Sequence, residues 1–342
     1  MVKARKAASG RTLLLVAFYY QERKKRMFKY ALKRIAVAIP TFFIVLTIVF
    51  ALLRMVPGSP IYYMYPGEEL SPQEVQELEE LHGLNDPIIV QYLRYLKDVL
   101  TGNWGNSYID KNPVFENILR VWEPCIVISV FATLITVVIA IPVGVISALK
   151  RNSPLDYFVS TLSTASATVP TVCWALLLLY FFAYKLRWFP VFEPYPKLGN
   201  NFWLSIWVIA LPSISLGTHH VASLARITRA TMLDVINQDY VRTAKAKGLP
   251  ASKVYYKHAL KNTLSLVATN ITSSFMGMVG GSAVTEKVFS IEGLGTLATT
   301  TMSGRDYNQE QAIVILSAIL ALTVNLLMDL FYKWLDPRIE YE

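Results

Sequence analysis

Histidine and cysteine are scarce in this chain, with four His and two Cys among 342 residues. Neither Cys125 nor Cys173 has a partner at metal-ligand spacing. Both stand at or within apolar runs, where a free cysteine is a small hydrophobe and is silent on redox compartment. None of His82, His219, His220 and His258 sits in an H-E-x-x-H context, so the commonest intramembrane metalloprotease site is missing. The G-x-S-x-G of serine hydrolases is absent as well. So is G-x-x-x-x-G-K-[ST], which excludes an ATP site of the P-loop type on this chain. Charged residues make up only 17%, and no low-complexity tract or internal repeat stands out. No cleavable signal is evident: "TLLLVAFYY" (12–20) is apolar but too short to span and lacks a small-residue cleavage site.

What the chain has in abundance is apolar length. It is 54% hydrophobic with a positive mean hydropathy. Runs of about 18 or more apolar residues read as membrane spans, because about 20 residues of helix cross the hydrocarbon core. Six such segments predict an all-α polytopic membrane protein, at about 35–53, 125–148, 157–184, 203–225, 264–288 and 311–332.

The net charge of +9 is informative by position. Basic residues beside spans mark cytoplasmic loops. Residues 1–34 carry eleven Lys or Arg and one acid, which predicts a basic cytoplasmic arm. Residues 56–122 carry ten acids and four basic residues, and should face outside. Residues 226–263 hold eight Lys or Arg against two acids and should be cytoplasmic, as should the tail at 333–342. Six spans in a transmembrane domain of 35–332 put both termini on one side, and every loop agrees. Interleaved aromatic–basic motifs are absent, so nucleic acid is not an expected partner.

The outer segment has its own helix signals. In "SPQE", Ser71 is an N-cap, Pro72 takes the first helical position and Glu74 closes a capping box, predicting a helix to about Leu81. "PIIVQYLRYLKDVL" (87–100) is amphipathic and ends at Gly102 and Gly105. Together they read as a small helical extracytoplasmic cap. The loop at 289–310 contains "IEGLG".

Polar residues within spans are costly and usually face a bundle interior or an aqueous path. Ser163 and Thr168 in the third span, His219 in the fourth, and Asn270, Ser273 and Ser274 in the fifth are candidates for a translocation path. Hydrogen bonding between helices is the alternative. His219 and His220 point about 100° apart on a helix and so rarely chelate one ion; no metal site is expected. Gly277 and Gly281 form a G-x-x-x-G suited to close helix packing. Asp329 and Lys333, one turn apart, should form a local ion pair, and "LDPR" should end the last helix at Leu335.

One stretch remains, "DYVRTAKAKGLPASKVYYKHALKN" (239–262), with six basic residues and one acid. Leu233, Ile236, Tyr240 and Ala244 are spaced as one apolar stripe. Gly248 supplies a left-handed cap, Pro250 forbids continuation, and a helix restarts near Ser252 with Tyr255/Ala259 and Tyr256/Leu260 at i,i+4. A basic helix lying on anionic lipid is the plain alternative. The built-in stop favours a compact hairpin that plugs a groove in a partner.

This stretch resembles the cytoplasmic "EAA" loop of binding-protein-dependent ABC importer permeases. Arg242, Thr243 and Ala244 stand where E-A-A stands, Gly248 at the motif glycine, and His258, Leu260 and Lys261 at the I, L and P of I-x-L-P. Ala244, Gly248 and Leu260 match; the others depart in the manner of the peptide/nickel subgroup. "LKRIAVAIPTFFIVLTIVFALLRMVPGSP", "LNDPIIVQYLRYLKDVLTGNWGNSY", "LARITRATMLDVINQDYVRTAKAKGL", "VFSIEGLG" and "NLLMDLFYKWLDPRI" are also similar to the dipeptide/oligopeptide permease B-type subunit, in order, over roughly 27–338. The first 26 or so residues lie outside the resemblance: an upstream start, a remnant of expression, or a basic arm on lipid, with Met27 able to open a family-length chain.

The resemblance implies a type I ABC importer permease architecture and no chemistry on this chain. It implies a second homologous permease subunit, two ABC ATPase subunits that hold ATP and Mg, and an extracytoplasmic solute-binding protein. It places the chain in a bacterial-type inner membrane. The ATPase-coupling loop would be Asp239, Tyr240, Arg242, Thr243, Ala244, Gly248 and Leu249. A di- or oligopeptide is the expected cargo, with nickel or another small solute as the rival. A membrane enzyme lacks its motifs here. A self-sufficient carrier would place ionisable residues at the midplane, and none falls there.

Overall fold

A computed structural model describes residues 31–56, 58–65, 69–281 and 283–335. The arm up to residue 30 and the tail beyond 335 lie outside the described residues. The chain divides into two compact units, one of Val49–Ser317 and a smaller one that joins the stretch up to Ile48 to the stretch from Ala318 on.

Helix dominates throughout, and no β-sheet occurs among the described residues. Helix α1 is Ala31–Met55, an apolar rod with Val37, Ile44, Ile48 and Leu52 exposed. A short α2 (Ile61–Met64) precedes α3 (Pro72–Leu81) and α4 (Ile88–Thr101). Ser71 caps α3 as expected: its hydroxyl accepts from the Glu74 N–H, and the Glu74 carboxylate accepts from the Ser71 N–H at 2.7 Å. That bond, then the Ser71 hydroxyl, holds the Glu74 carboxyl below its usual value. Gly102 ends α4 at φ 74°. The turn that follows leads into α5 (Val114–Leu149), 36 residues long.

Among the described residues, four helices are long and apolar enough to cross a membrane: α1, α5, α8 (Phe202–Ile236) and α13 (Tyr307–Leu335). The expected third span is not one rod. It is α6 (Pro154–Thr168) and α7 (Thr171–Leu178), bent by 104° and continued by a π-helical turn, Leu179–Lys185. Pro170 has no N–H to give and pushes Val169 into extended backbone, ψ 122°. Counted as one broken crossing, this pair makes five. The expected fifth span is α10 (Leu260–Gly281) followed by α11 (Ala283–Val288). Its Asn, Ser, Thr and Gly keep it below the apolarity of the others.

Two more elements extend what the sequence indicated. The helix that contains the expected fourth span, α8, continues past it to Ile236. The loop at 289–310 contains α12 (Leu294–Gly304), whose start is held by the buried Glu286, accepting from Thr296 N–H at 2.6 Å.

The centre of the larger unit is the crossing of α5 and α8. Ala132, Thr136, Ala140, Gly144 and Ala148 recur every fourth residue along α5 and all are buried. A Cβ on Gly144 would stand 2.6 Å from the Ala225 carbonyl oxygen, and one on Gly217 2.7 Å from that of Ala132. The two backbones therefore touch, as small residues allow in lipid. The Thr136 hydroxyl lies 2.9 Å from the Gly217 carbonyl and 2.8 Å from that of Ala132.

Candidate functional site

The basic stretch folds as a hairpin at the end of α8. Helix α8 stops at Ile236, Asn237 returns its side-chain N–H to the Leu233 carbonyl at 3.0 Å, and α9 (Asp239–Ala246) begins. This break resets the register. Of the expected stripe, Leu233, Ile236 and Ala244 pack on one cluster, but Tyr240 does not: it is 42% exposed and Val241 is buried in its place. Gly248 stands at φ 74°, and its N–H closes on the Lys245 carbonyl at 3.0 Å. After Pro250 the chain re-enters helix as a π-helical stretch, Lys253–Ala259, which runs into α10. The wider π turn shifts the expected i,i+4 pairs and buries Val254 and Ala259.

These inward residues form one apolar cluster with Val145 and Ala148 of α5 and Met232 and Val235 of α8. The hairpin is thereby fixed to the ends of the two central helices. Its arms are also tied by the Lys245 ammonium, 5.3 Å from the centre of the Tyr255 ring. The outward side carries Asp239, Tyr240, Arg242, Thr243, Gly248 and Leu249, all exposed. Tyr256, absent from the expected set, is 55% exposed on the same hairpin. Arg242 and Asp239 approach to 3.8 Å at the open surface, a pair of little energetic worth.

A buried ion pair holds the neighbouring turn. Asp156, in the first turn of α6, receives Arg229 of α8 in a two-pronged contact at 2.5 and 2.6 Å. It also accepts from the Ser147 hydroxyl and from the Asn152 N–H at 3.0 Å. Asp156 and Arg229 lie on opposite sides of two expected spans, so the pairing is not foreshadowed in the sequence. No local signal joins residues so far apart in the chain.

The candidate path residues are dispersed. Ser163 is buried on α6 and Thr168 exposed at its end. On α8, His219 is half-buried, its ring centre 5.6 Å from that of His220. On α10, Asn270 and Ser274 are half-buried and Ser273 is exposed. The Thr168 hydroxyl donates to the Ala165 carbonyl at 2.7 Å and Ser273 to the Thr269 carbonyl at 3.1 Å, each within its own helix. Gly277 has open space where a side chain would project; the side-chain position of Gly281 lies outside the described residues. Asp329 meets Arg34 at 3.1 Å, and the Lys333 side chain lies outside the described residues. No cluster of three metal-ligating side chains occurs among the described residues.

A helical membrane protein with a basic hairpin seated on its two central helices has the build of a transport component. The chain belongs to the family described as binding-protein-dependent transport system inner membrane component, which matches residues 140–341. The N-terminal region of the same class of membrane component matches residues 27–129. The chain is thus a multi-pass permease component and not an enzyme. It is 35% identical over 334 residues to a dipeptide transport system permease protein, DppB, of Alkalihalophilus pseudofirmus, covering 92% of this chain and all of that one. It is 35% identical over 318 residues to the oligopeptide permease AppB of Bacillus subtilis, at the same coverage of both chains. Likewise, 35% identity over 317 residues links it to OppB of Salmonella typhimurium, over 92% of this chain and 100% of that one. Among solved structures, an inward-facing MetNI methionine ABC transporter shares the fold with a TM-score of 0.53 at 17% identity, over 65% of this chain and 98% of that chain.

Proposed function

We propose that this chain imports di- or oligopeptides as one half of a heteromeric translocation path. Peptide permeases among its relatives support that cargo. In this reading the transmembrane domain is 35–332 and crosses six times, α10 with α11 making the polar fifth crossing. The arm at 1–34 and the tail at 333–342 are cytoplasmic. The segment at 56–122 is an outer cap that meets a solute-binding protein. A second homologous permease completes the path. Two ABC ATPases, holding ATP and Mg, act on the cytoplasmic loop at 226–263.

The observation that carries the reading is the hairpin, with an apolar underside locked to α5 and α8 and an outer side left for a partner. A push on Tyr240, Arg242 or Leu249 is delivered to the central crossing through Val241 and Ala244. Asp239, Thr243 and Gly248 shape the same contact. Ser163, Thr168, His219, Asn270, Ser273 and Ser274 supply the mild polarity of the path, and Gly277 with Gly281 packs against a neighbouring helix.

The test is recovery of partners. A tagged chain drawn from native membranes in mild detergent should bring a second permease and P-loop ATPases, with ATP turnover stimulated by substrate. Gly248→Val should abolish ATPase recovery while leaving the chain inserted, because a β-branched residue at φ 74° is strained. Recovery of the chain alone in stable form would return the hairpin to the lipid surface and overturn the proposal.

A further inference from the structure

Away from the hairpin, the last turn of α1, α4, the segment at 103–108 and the first turns of α13 enclose a cavity of about 310 Å³. That volume is at the lower end of small-molecule sites. Arg54 lines it. Its Nε donates to the Gln91 side-chain oxygen at 2.9 Å, and its guanidinium carbon lies 5.1 Å from the centre of the Phe50 ring. Gln91 is buried, and its Nε2 lies 2.7 Å from the Leu84 carbonyl and 2.8 Å from that of Asp86. Those two bonds fix the amide, so its oxygen must face Arg54.

Arg54 is therefore oriented through one edge by a neutral group. No carboxylate among the described residues lies at ion-pair distance from it. The other arginine of this wall, Arg94, is already neutralised by Asp86 at 2.6 Å. Beside them stands an unsatisfied donor. The Tyr95 hydroxyl is shut off from solvent without a hydrogen-bond partner, the Gln311 side chain approaching it outside bonding geometry. The Tyr95 ring stacks on Phe50 at 5.5 Å, so Arg54 and Tyr95 share one aromatic support. Arg54 is exposed, so its remaining donors are open to a ligand entering the cavity, whereas a phenol without an acceptor is costly away from water.

We propose that this cavity binds a monoanion with an apolar body. Its two oxygens meet the remaining donors of Arg54 and the Tyr95 hydroxyl, and its body rests on Phe50, Leu53 and Trp104. The planar guanidinium fork suits a carboxylate or a phosphodiester, and Asp98, which also lines the cavity, disfavours a second negative charge on the ligand. Two sources carry that chemistry: a small solute carboxylate, or the headgroup of a phospholipid beside the end of α1.

The experiment uses the intact transporter complex. In detergent, equilibrium dialysis compares 3-phenylpropionate with neutral 3-phenylpropanol. In nanodiscs, native mass spectrometry compares retained phosphatidylglycerol with retained diacylglycerol. Retention of either anion above its neutral analogue, weakened about tenfold or more by Arg54→Gln and several-fold by Tyr95→Phe, supports the site and names its source. Should Arg54→Gln fail to assemble, Tyr95→Phe decides alone. Equal retention of charged and neutral probes, or wild-type binding by the assembled variants, overturns it.

Discussion

At the scale of single residues, charge burial makes the sharpest demands. Asp156 and Arg229 are both largely hidden, at 4% and 24% side-chain exposure. Removing one partner leaves the other charged and uncompensated, a loss of about 3–5 kcal/mol. Asp156→Ala should accordingly lower the melting temperature of the purified protein in detergent. The double variant with Arg229→Ala should lose less than the sum of the two singles, and additive losses would show that the pair is not coupled. Glu74 offers a pH-dependent case of a milder kind. Its carboxyl is depressed by the Ser71 N–H and hydroxyl. The capping box therefore contributes in full above its ordinary value of 4.5 and is lost as pH falls through the depressed one. Hydrogen exchange over 71–81, corrected for intrinsic rates, should show protection falling in acid, and Ser71→Ala should erase that step.

At the scale of elements, the hairpin has two faces with opposite duties. Ala244 sits within its own chain's core at 7% exposure, whereas Leu249 and Tyr256 face outward. Leu249→Ala with Tyr256→Ala should reduce ATPase recovery and leave the melting temperature unchanged. Ala244→Leu should lower the melting temperature through overpacking, by about 1–3 kcal/mol of stability. If instead Ala244→Leu is thermally silent and the outward pair destabilises, the assignment of faces is reversed. The existence of this hairpin was legible from Gly248 and Pro250, because a positive φ and a missing N–H are local constraints. Its facing was not legible. A two-residue break after Ile236 and a π-helical restart alter the period, and helical spacing counted across them selects Tyr240 in place of Val241.

At the scale of the whole molecule, distant segments are joined by a few buried polar residues. Asp306 is wholly buried. It accepts from the Ser107 hydroxyl at 2.5 Å, from the Tyr108 N–H at 2.9 Å and from the Gln309 N–H at 3.1 Å. It thus caps α13 and pins the segment at 107–108 across roughly two hundred positions of sequence. Burial, and then the neighbouring Asp306 carboxylate, push the Tyr108 phenol up, so it stays a neutral donor to Asn308 at 3.1 Å. Asp306→Ala should free the turn at 105–113 for limited proteolysis while leaving membrane insertion intact. Unchanged cleavage would mean that Asn117 and Gln309, bonded at 3.0 Å, hold the segment without it.

Apolar run length, the capping box at Ser71 and the stops at Gly102 and Gly248 are short-range matters. The sequence by itself determined a helical, membrane-crossing chain with a basic hairpin, because each of those features is set by residues within a few positions of one another. The small residues from Ala132 to Ala148 recur at a four-residue period along α5, but only their burial against α8 identifies them as a packing face. Which helix they meet, that Arg229 reaches Asp156, that Asp306 reaches Ser107 and that Arg54 is held by Gln91 were decided only by the tertiary structure. Those pairings depend on how backbones cross and on which polar groups are left to satisfy one another once water is excluded, and neither is written in local spacing.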